Sequence, residues 1–219
     1  MTDGVLTGEQ LIQKKVMQDI LQFINKHDKQ TTILKDGTGL MFGYNLTRFS
    51  EDIDLDSTNT HLEKIIKDFC NIHSYTYNTK KDTPTVKRFM LEYDVNKKIK
   101  IEISYRNKHL DTKHYNSFNG IKIYTIDKLF GMKLNAYNDR DKIRDLFDIT
   151  FIYKHYKQQL PEFAIEQLQD ALSFKGLEQF DYLIATQDDE LIDKEELAED
   201  FLIMYDDLGL IIENNELSL

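Results

Sequence analysis

The apolar positions of this chain change period along its length, and each change marks an element. From Leu6 to His27 they recur at helical spacing (Leu11, Ile12, Val16, Ile20, Leu21, Phe23, Ile24), which predicts an amphipathic helix. Thr7 and Gln10 have the spacing of a capping box at its start. Thr31 to Lys35 is β-branched and reads as a strand. The turn Gly37-Thr38-Gly39 and a short apolar helix from Leu40 to Tyr44 follow. From Asp52 to Asp56 the period falls to two, with Ile53 and Leu55 between three aspartates, so this is a strand with one apolar and one carboxylate face. His61 to Ile72 returns to helical spacing, and Ser74 to Pro84 is polar and turn-rich, a loop. Val86–Tyr93 and Lys98–Arg106 alternate again and are joined by the hairpin residues Asp94 to Lys97. Gly120 to Tyr124 is a short apolar strand. Helical periodicity then runs on, through Leu168 and Leu172, Phe180 and Leu183, Leu197 and Phe201, in the manner of a packed bundle. The expectation is an α+β chain: a mixed sheet with flanking helices over residues 1–118, then a helical bundle over 119–219.

The carboxylate strand carries the candidate chemistry. Successive side chains on one strand face lie roughly 7 Å apart, so a divalent ion can bridge two of them. The repulsion between close carboxylates favours a bound cation, and hard oxygen donors suit Mg²⁺. Three plainer readings compete, the first that Gly37 and Gly39 merely make a turn and the other two concerning the strand. One is a surface strand with solvated aspartates, although Asp is depleted in strands. The other is a calcium loop, because Asp52, Asp54, Asp56 and Glu63 take the first, third, fifth and twelfth places of an EF-hand, but Ser57 stands where that loop needs Gly. In the later strand, Glu102 is the one acid on a face otherwise basic or neutral. Read by itself, it is half of a cross-strand ion pair with Lys87 or Arg88.

Composition narrows the classes. The chain has 219 residues, 41% of them apolar and 30% charged, enough for a buried core. Met1 to Gly4 has no basic n-region, and no apolar run reaches the length of about 18 residues that a membrane span needs. The single Cys70 cannot form an internal disulfide, which fits a reducing cytoplasm. The net charge of −10 argues against generic nucleic-acid binding, yet it is uneven. Thr79 to His114 holds ten Lys/Arg against five Asp/Glu, whereas Pro161 to the end holds two against seventeen. Either a phosphate-bearing partner meets the first region, or these are two solvated faces of opposite sign.

Taken together, Gly37-Thr38-Gly39-Leu40 followed by Arg48-Phe49-Ser50-Glu51-Asp52-Ile53-Asp54 resembles the nucleotidyltransferase fold of the DNA polymerase β superfamily. More narrowly it resembles the AbiEii/AbiGii toxins of type IV toxin–antitoxin systems, whose motifs are roughly G-G-T-A-L and R-x-S-x-D-I-D. Asp36 stands where that family has its first glycine. Ile101-Glu102-Ile103-Ser104, Lys133-Leu134-Asn135-Ala136 and Arg144-Asp145-Leu146-Phe147-Asp148 resemble its later motifs. The resemblance covers about residues 30–155. It implies two Mg²⁺ ions, with Mn²⁺ as a substitute, on Asp52, Asp54 and Glu102, with Glu102 as the third carboxylate or the general base, and a triphosphate held by Gly37, Thr38 and Lys133. Arg48, Ser50, Arg144 and Asp148 join the nucleotide site. It further implies transfer of a nucleotide from an NTP to an RNA acceptor, such as a tRNA 3′ end, or to a protein hydroxyl, and a cognate antitoxin. The alternatives are a non-catalytic nucleotide-binding module of the same fold and a helical protein-interaction protein acting through its acidic half.

Overall fold

The computed structural model describes residues 6–211. Its elements run α1 (Gly8–His27), β1 (Thr32–Lys35), α2 (Asp36–Gly43), β2 (Ile53–Ser57), α3 (Leu62–His73), β3 (Thr76–Asp82), β4 (Val86–Asp94), β5 (Lys97–Ser104), β6 (Tyr115–Phe118), β7 (Ile121–Tyr124), α4 (Ile126–Asp139), α5 (Ile143–Tyr156), α6 (Glu162–Thr186) and α7 (Lys194–Asp207). Residues up to Thr125 form one compact unit and those from Ile126 a second. The start of the chain, where the sequence suggested that no leader is present, lies outside the described residues. Among the described residues no helix is long and apolar enough to cross a membrane.

The first unit is a seven-stranded mixed sheet in the order β3-β4-β5-β2-β1-β7-β6. β2 runs antiparallel to β1 and parallel to β5, and β1 runs parallel to β7. The period-two pattern sorts the two faces. Ile53, Leu55, Ile99, Ile101, Ile103, Phe89 and Leu91 are almost fully buried and share one face. The helix α3 packs on that face: Lys87, in register with Ile103, bonds Glu63 of α3 at 2.8 Å, and Phe69 packs near Tyr75 at 6.0 Å between centroids. α1 packs beside α3, with Phe23 5.5 Å from Phe69. Burying one Leu, Ile or Phe side chain contributes about 1.5–3 kcal/mol, so this face supplies much of the unit's stability. The opposite face keeps its polar side chains, and the candidate site lies there.

Most elements match the expected pattern. Thr7 caps α1 through the reciprocal bonds of a capping box. The hairpin between β4 and β5 turns at Asn96, in the left-handed region (φ 60°), where Asn is tolerated better than other side chains. Ser74 to Pro84 is a correction: it is not a loop but contains the edge strand β3. Its side chains are mostly exposed, so no apolar period announces it; pairing with β4 makes it a strand, with a bulge between Thr79 and Lys81. β6 has no apolar period either, and pairs with β7 across Asn119-Gly120, both at positive φ. The two units divide after Thr125, so this hairpin, whose turn is where the sequence suggested a boundary, belongs to the sheet.

The second unit is helical. α5 contacts α4 and α7, α6 contacts α4, and the Phe180 and Phe201 rings stack in parallel 4.1 Å apart. α6 is broken at Gly176, whose φ of 67° with ψ of 177° is a conformation that glycine alone adopts readily.

Candidate active site

The site is built on β1, the start of α2, β2 and β5. β1 ends at Lys35, and the chain turns sharply at Asp36 (φ 59°), the first residue of α2, so Gly37, Thr38 and Gly39, expected as a turn ahead of the helix, make up its first turn. The backbone N–H groups of a helix start have no partner within the helix, which makes such a turn suited to phosphate oxygens. Behind it runs the segment before β2. A Cβ on Gly37 would stand 2.8 Å from Arg48 Nη2 and 2.9 Å from Ser50 Oγ, so only glycine fits. Thr38 Oγ1 donates to the Asp52 carbonyl, and it shares a hydrogen bond of 2.9 Å with the Ser50 hydroxyl, which is left to donate. Gly37, Thr38, Arg48 and Ser50 thus form one buried cluster. Arg48 Nη1 donates to the Phe49 carbonyl at 3.1 Å.

The carboxylates stand beside this turn. Asp54 is in register with Lys35 on β1 and with Glu102 on β5, and Asp52 and Asp54 share the polar face. Burial pushes the Asp54 carboxyl up to about 6. The negative charge of Asp36 adds to this, Lys100 opposes it, and Asp52 and Glu102 contribute further repulsion. Two cations meet the outer carboxylates: Lys100 pairs with Asp52, and Arg88 with Glu102 at 2.6 Å. The Arg88 pair is one of the alternatives the sequence left open for Glu102, whereas Lys87 lies on the other face with Glu63.

Among the described residues no three His, Cys, Asp or Glu side chains stand ready as a metal-ligand group. The donors nevertheless fit a divalent cation in kind. They are hard carboxylates on adjacent strands in register, and one of them, Asp54, is pushed toward its neutral form by burial first and by negative neighbours next, which a bound cation would relieve. Holding an ion at all three carboxylates requires the Lys100 and Arg88 pairs to open. The side chains involved are 28–41% exposed, and pairs this exposed are worth only about 0–1 kcal/mol.

Asp56 and Glu63 are engaged elsewhere, so the calcium-loop arrangement is absent. Asp56 is buried, bonded by Lys35 Nζ at 2.7 Å and by the Tyr124 hydroxyl at 2.8 Å. Lys133, Arg144 and Asp148 belong to the second unit. There Lys133 is buried on α4, with its ammonium 2.8 Å from Asp148 and 3.4 Å from Asp145 of α5, and Arg140 also donates to Asp145 at 2.8 Å. Arg144 pairs with Asp189. Sequence reasoning missed Lys100 and the reach of Asp36 to Asp54. For Lys100 the signal was present in the alternation of β5.

Three comparisons bear on identity. Residues 19–213 match a family model described as the nucleotidyl transferase AbiEii toxin of type IV toxin–antitoxin systems. No curated protein matches the chain. Among solved structures, JHP933 from Helicobacter pylori is similar at 30% identity, with 94% of this chain and 95% of that one covered and a TM-score of 0.77. A second H. pylori structure is similar at 28% identity, with coverage of 94% and 97% and a TM-score of 0.75. MenT4, a nucleotidyltransferase toxin from Mycobacterium tuberculosis, shares the fold at 11% identity, with coverage of 92% and 86% and a TM-score of 0.53. The carboxylate strands, the glycine turn and a family match over nearly the whole length agree: this chain belongs to the AbiEii family of type IV toxins and is a nucleotidyltransferase.

Proposed function

We propose that the protein transfers a nucleoside monophosphate from an NTP to an acceptor hydroxyl, with Mg²⁺ held by Asp52, Asp54 and Glu102. The observation that carries this reading is the register of Asp54 with Glu102, beside the turn formed by Gly37 and Thr38. The N–H groups at the start of α2 bind the triphosphate, and Arg48 and Ser50 hold that turn in shape from behind. When bound, the divalent cations supply Lewis-acid polarisation of the α-phosphate and neutralise the charge of the leaving group. The acceptor oxygen forms a bond to the α-phosphorus in line with the bridging oxygen, that bridging bond breaks, and pyrophosphate leaves. Glu102 takes the hydroxyl proton once Arg88 has moved off it. Lys133, Arg144 and Asp148 are proposed as further nucleotide-site residues, as the family motifs imply. The acceptor is RNA, such as a tRNA 3′ end, or a protein Ser/Thr, and a cognate antitoxin restrains the activity, as the family implies.

The test incubates purified protein with Mg²⁺, each α-³²P-labelled NTP in turn, total RNA and cell extract, with Asp52→Ala/Asp54→Ala alongside. Label transferred by the wild type alone is the expected result, and the labelled band identifies nucleotide and acceptor. Nucleotide binding without transfer under any NTP would sink this reading and leave a binding module.

A further inference from the structure

The polar face of the sheet does not end at the carboxylates. Beyond Glu102 and Lys100 it continues over β4 and β3 as an open groove of about 590 Å³, lined among others by Lys80, Arg88, Lys98, Lys100 and a single acid, Glu92. Arg88 and Lys100 belong to both places: they line this groove and pair with Glu102 and Asp52. The groove therefore opens directly from the reacting end of the site. Resting on the proposed transfer reaction, we infer that this groove is the acceptor site, and that it holds the sugar–phosphate backbone of an RNA strand whose terminal hydroxyl lies at the carboxylates.

The chemistry selects a polyanion. Four cations against one acid line the groove of a chain whose net charge is −10; Arg88, Lys100 and Lys98 are each paired with an acid, and the first two are freed for phosphate when the carboxylates of the site take Mg²⁺. Lys98 and Lys100 are two residues apart on one strand, so they present charge at intervals of roughly 6–7 Å, of the order of the spacing between successive phosphates of a strand. Lys98 meets Glu92 at 3.6 Å in an exposed pair, worth about 0–1 kcal/mol, which a phosphate can replace. The volume lies within the roughly 300–1,000 Å³ of small-molecule clefts, so the groove takes the last one or two nucleotides of a single strand rather than a duplex. It has no aromatic platform: Tyr77, the one aromatic residue lining it, turns its ring to Phe89 on the opposite face, 6.1 Å between centroids. Recognition is therefore by backbone charge, with little base preference.

The experiment is fluorescence anisotropy of the full-length protein with a 5′-labelled, single-stranded oligoribonucleotide of mixed sequence. NTP is omitted, so the result does not depend on turnover. Lys80→Glu/Lys98→Glu reverses two exposed charges in the groove, and Lys26→Glu/Lys29→Glu makes the same change on exposed residues at and just beyond the end of α1. The groove pair is expected to weaken binding about tenfold or more at low salt, and to lower the slope of log affinity on log salt by about 1.4, at about 0.7 per single-strand phosphate contact. The control pair should change either by less than about twofold. Equal weakening by both pairs, or no RNA binding by the wild type, overturns the proposal. So does labelling of a protein acceptor that the groove pair leaves unaltered. A wild type that binds RNA through the groove but transfers no label would instead count against the proposed reaction and leave the groove standing.

Discussion

Asp54→Asn removes a charge that the fold holds at a disadvantage. The carboxyl rises from an ordinary 3.8 to about 6, through burial first and the charge of Asp36 next. At 1.36 kcal/mol per pH unit, that difference corresponds to on the order of 3 kcal/mol, an upper figure because the side chain is only half-buried by area. The sign follows from linkage. A carboxyl whose folded value lies above its unfolded value favours the fold when protonated. Its contribution is fully present below about pH 4 and is lost as the pH rises through about 6. Asparagine is neutral throughout and keeps what the wild type loses. In metal-free buffer at pH 8 the variant should therefore be more stable by about 1–3 kcal/mol, narrowing to about 1 kcal/mol or less at pH 4.5. Urea unfolding followed by far-UV circular dichroism suits a chain without tryptophan, and the midpoint should shift by about 0.5–1.5 M at pH 8. Mg²⁺ should stabilise the wild type more than the variant, since only the wild type retains all three carboxylates. A variant less stable than wild type at pH 8, or a gap that ignores pH, would refute the claim that Asp54 is electrostatically strained.

Other substitutions probe the neighbouring parts. Asp36→Gly removes a carboxylate next to Asp54 and supplies the residue that φ 59° prefers, while giving up the bond from Gly37 N to Asp36 Oδ1. Stability should change by less than about 1 kcal/mol, and the KM for NTP measured in steady state should fall severalfold. Gly37→Ala places a methyl 2.8 Å from Arg48 Nη2, so transfer should drop at least about tenfold as the turn shifts, with nucleotide binding read by thermal shift weakening in parallel. Lys133→Met leaves Asp145 and Asp148 buried beside each other with only part of their cationic partners, and should destabilise the second unit by about 3–5 kcal/mol in urea. If stability is unchanged and only the KM for NTP rises, Lys133 serves the triphosphate and not the fold.

The chemistry of this site was legible where it follows the backbone period. Asp52 and Asp54 announce themselves because alternation places them on one strand face, and Glu102 because β5 alternates in the same way. The partners of those side chains needed the register. Glu102 had two candidate cations in sequence, and only the alignment of β4 with β5 puts Arg88 opposite it. Asp36 was visible as a departure from the glycine pattern, but its influence on Asp54 depends on a left-handed turn that composition does not reveal. Lys133 and Asp148 are fifteen positions apart and meet only because α4 and α5 fold against each other. Arg144 pairs with Asp189, a residue far along the chain that no local spacing points to. β3 was invisible for a different reason, since an exposed edge strand owes its conformation to its neighbour and not to a buried face.

That edge has a further consequence. β3 ends the sheet order on one side, and an unprotected edge offers its free N–H and C=O groups to any passing strand. Lys80 and Lys81, beside the bulge, deter such pairing between copies by charge and by twist. The charges read above as a grip on RNA are at the same time a guard against aggregation. Replacing them with Ile or Thr would relieve the repulsion, raise strand propensity and invite sheet-to-sheet growth of the protein itself. Glutamate empties the groove of positive charge yet keeps the edge closed to its own kind.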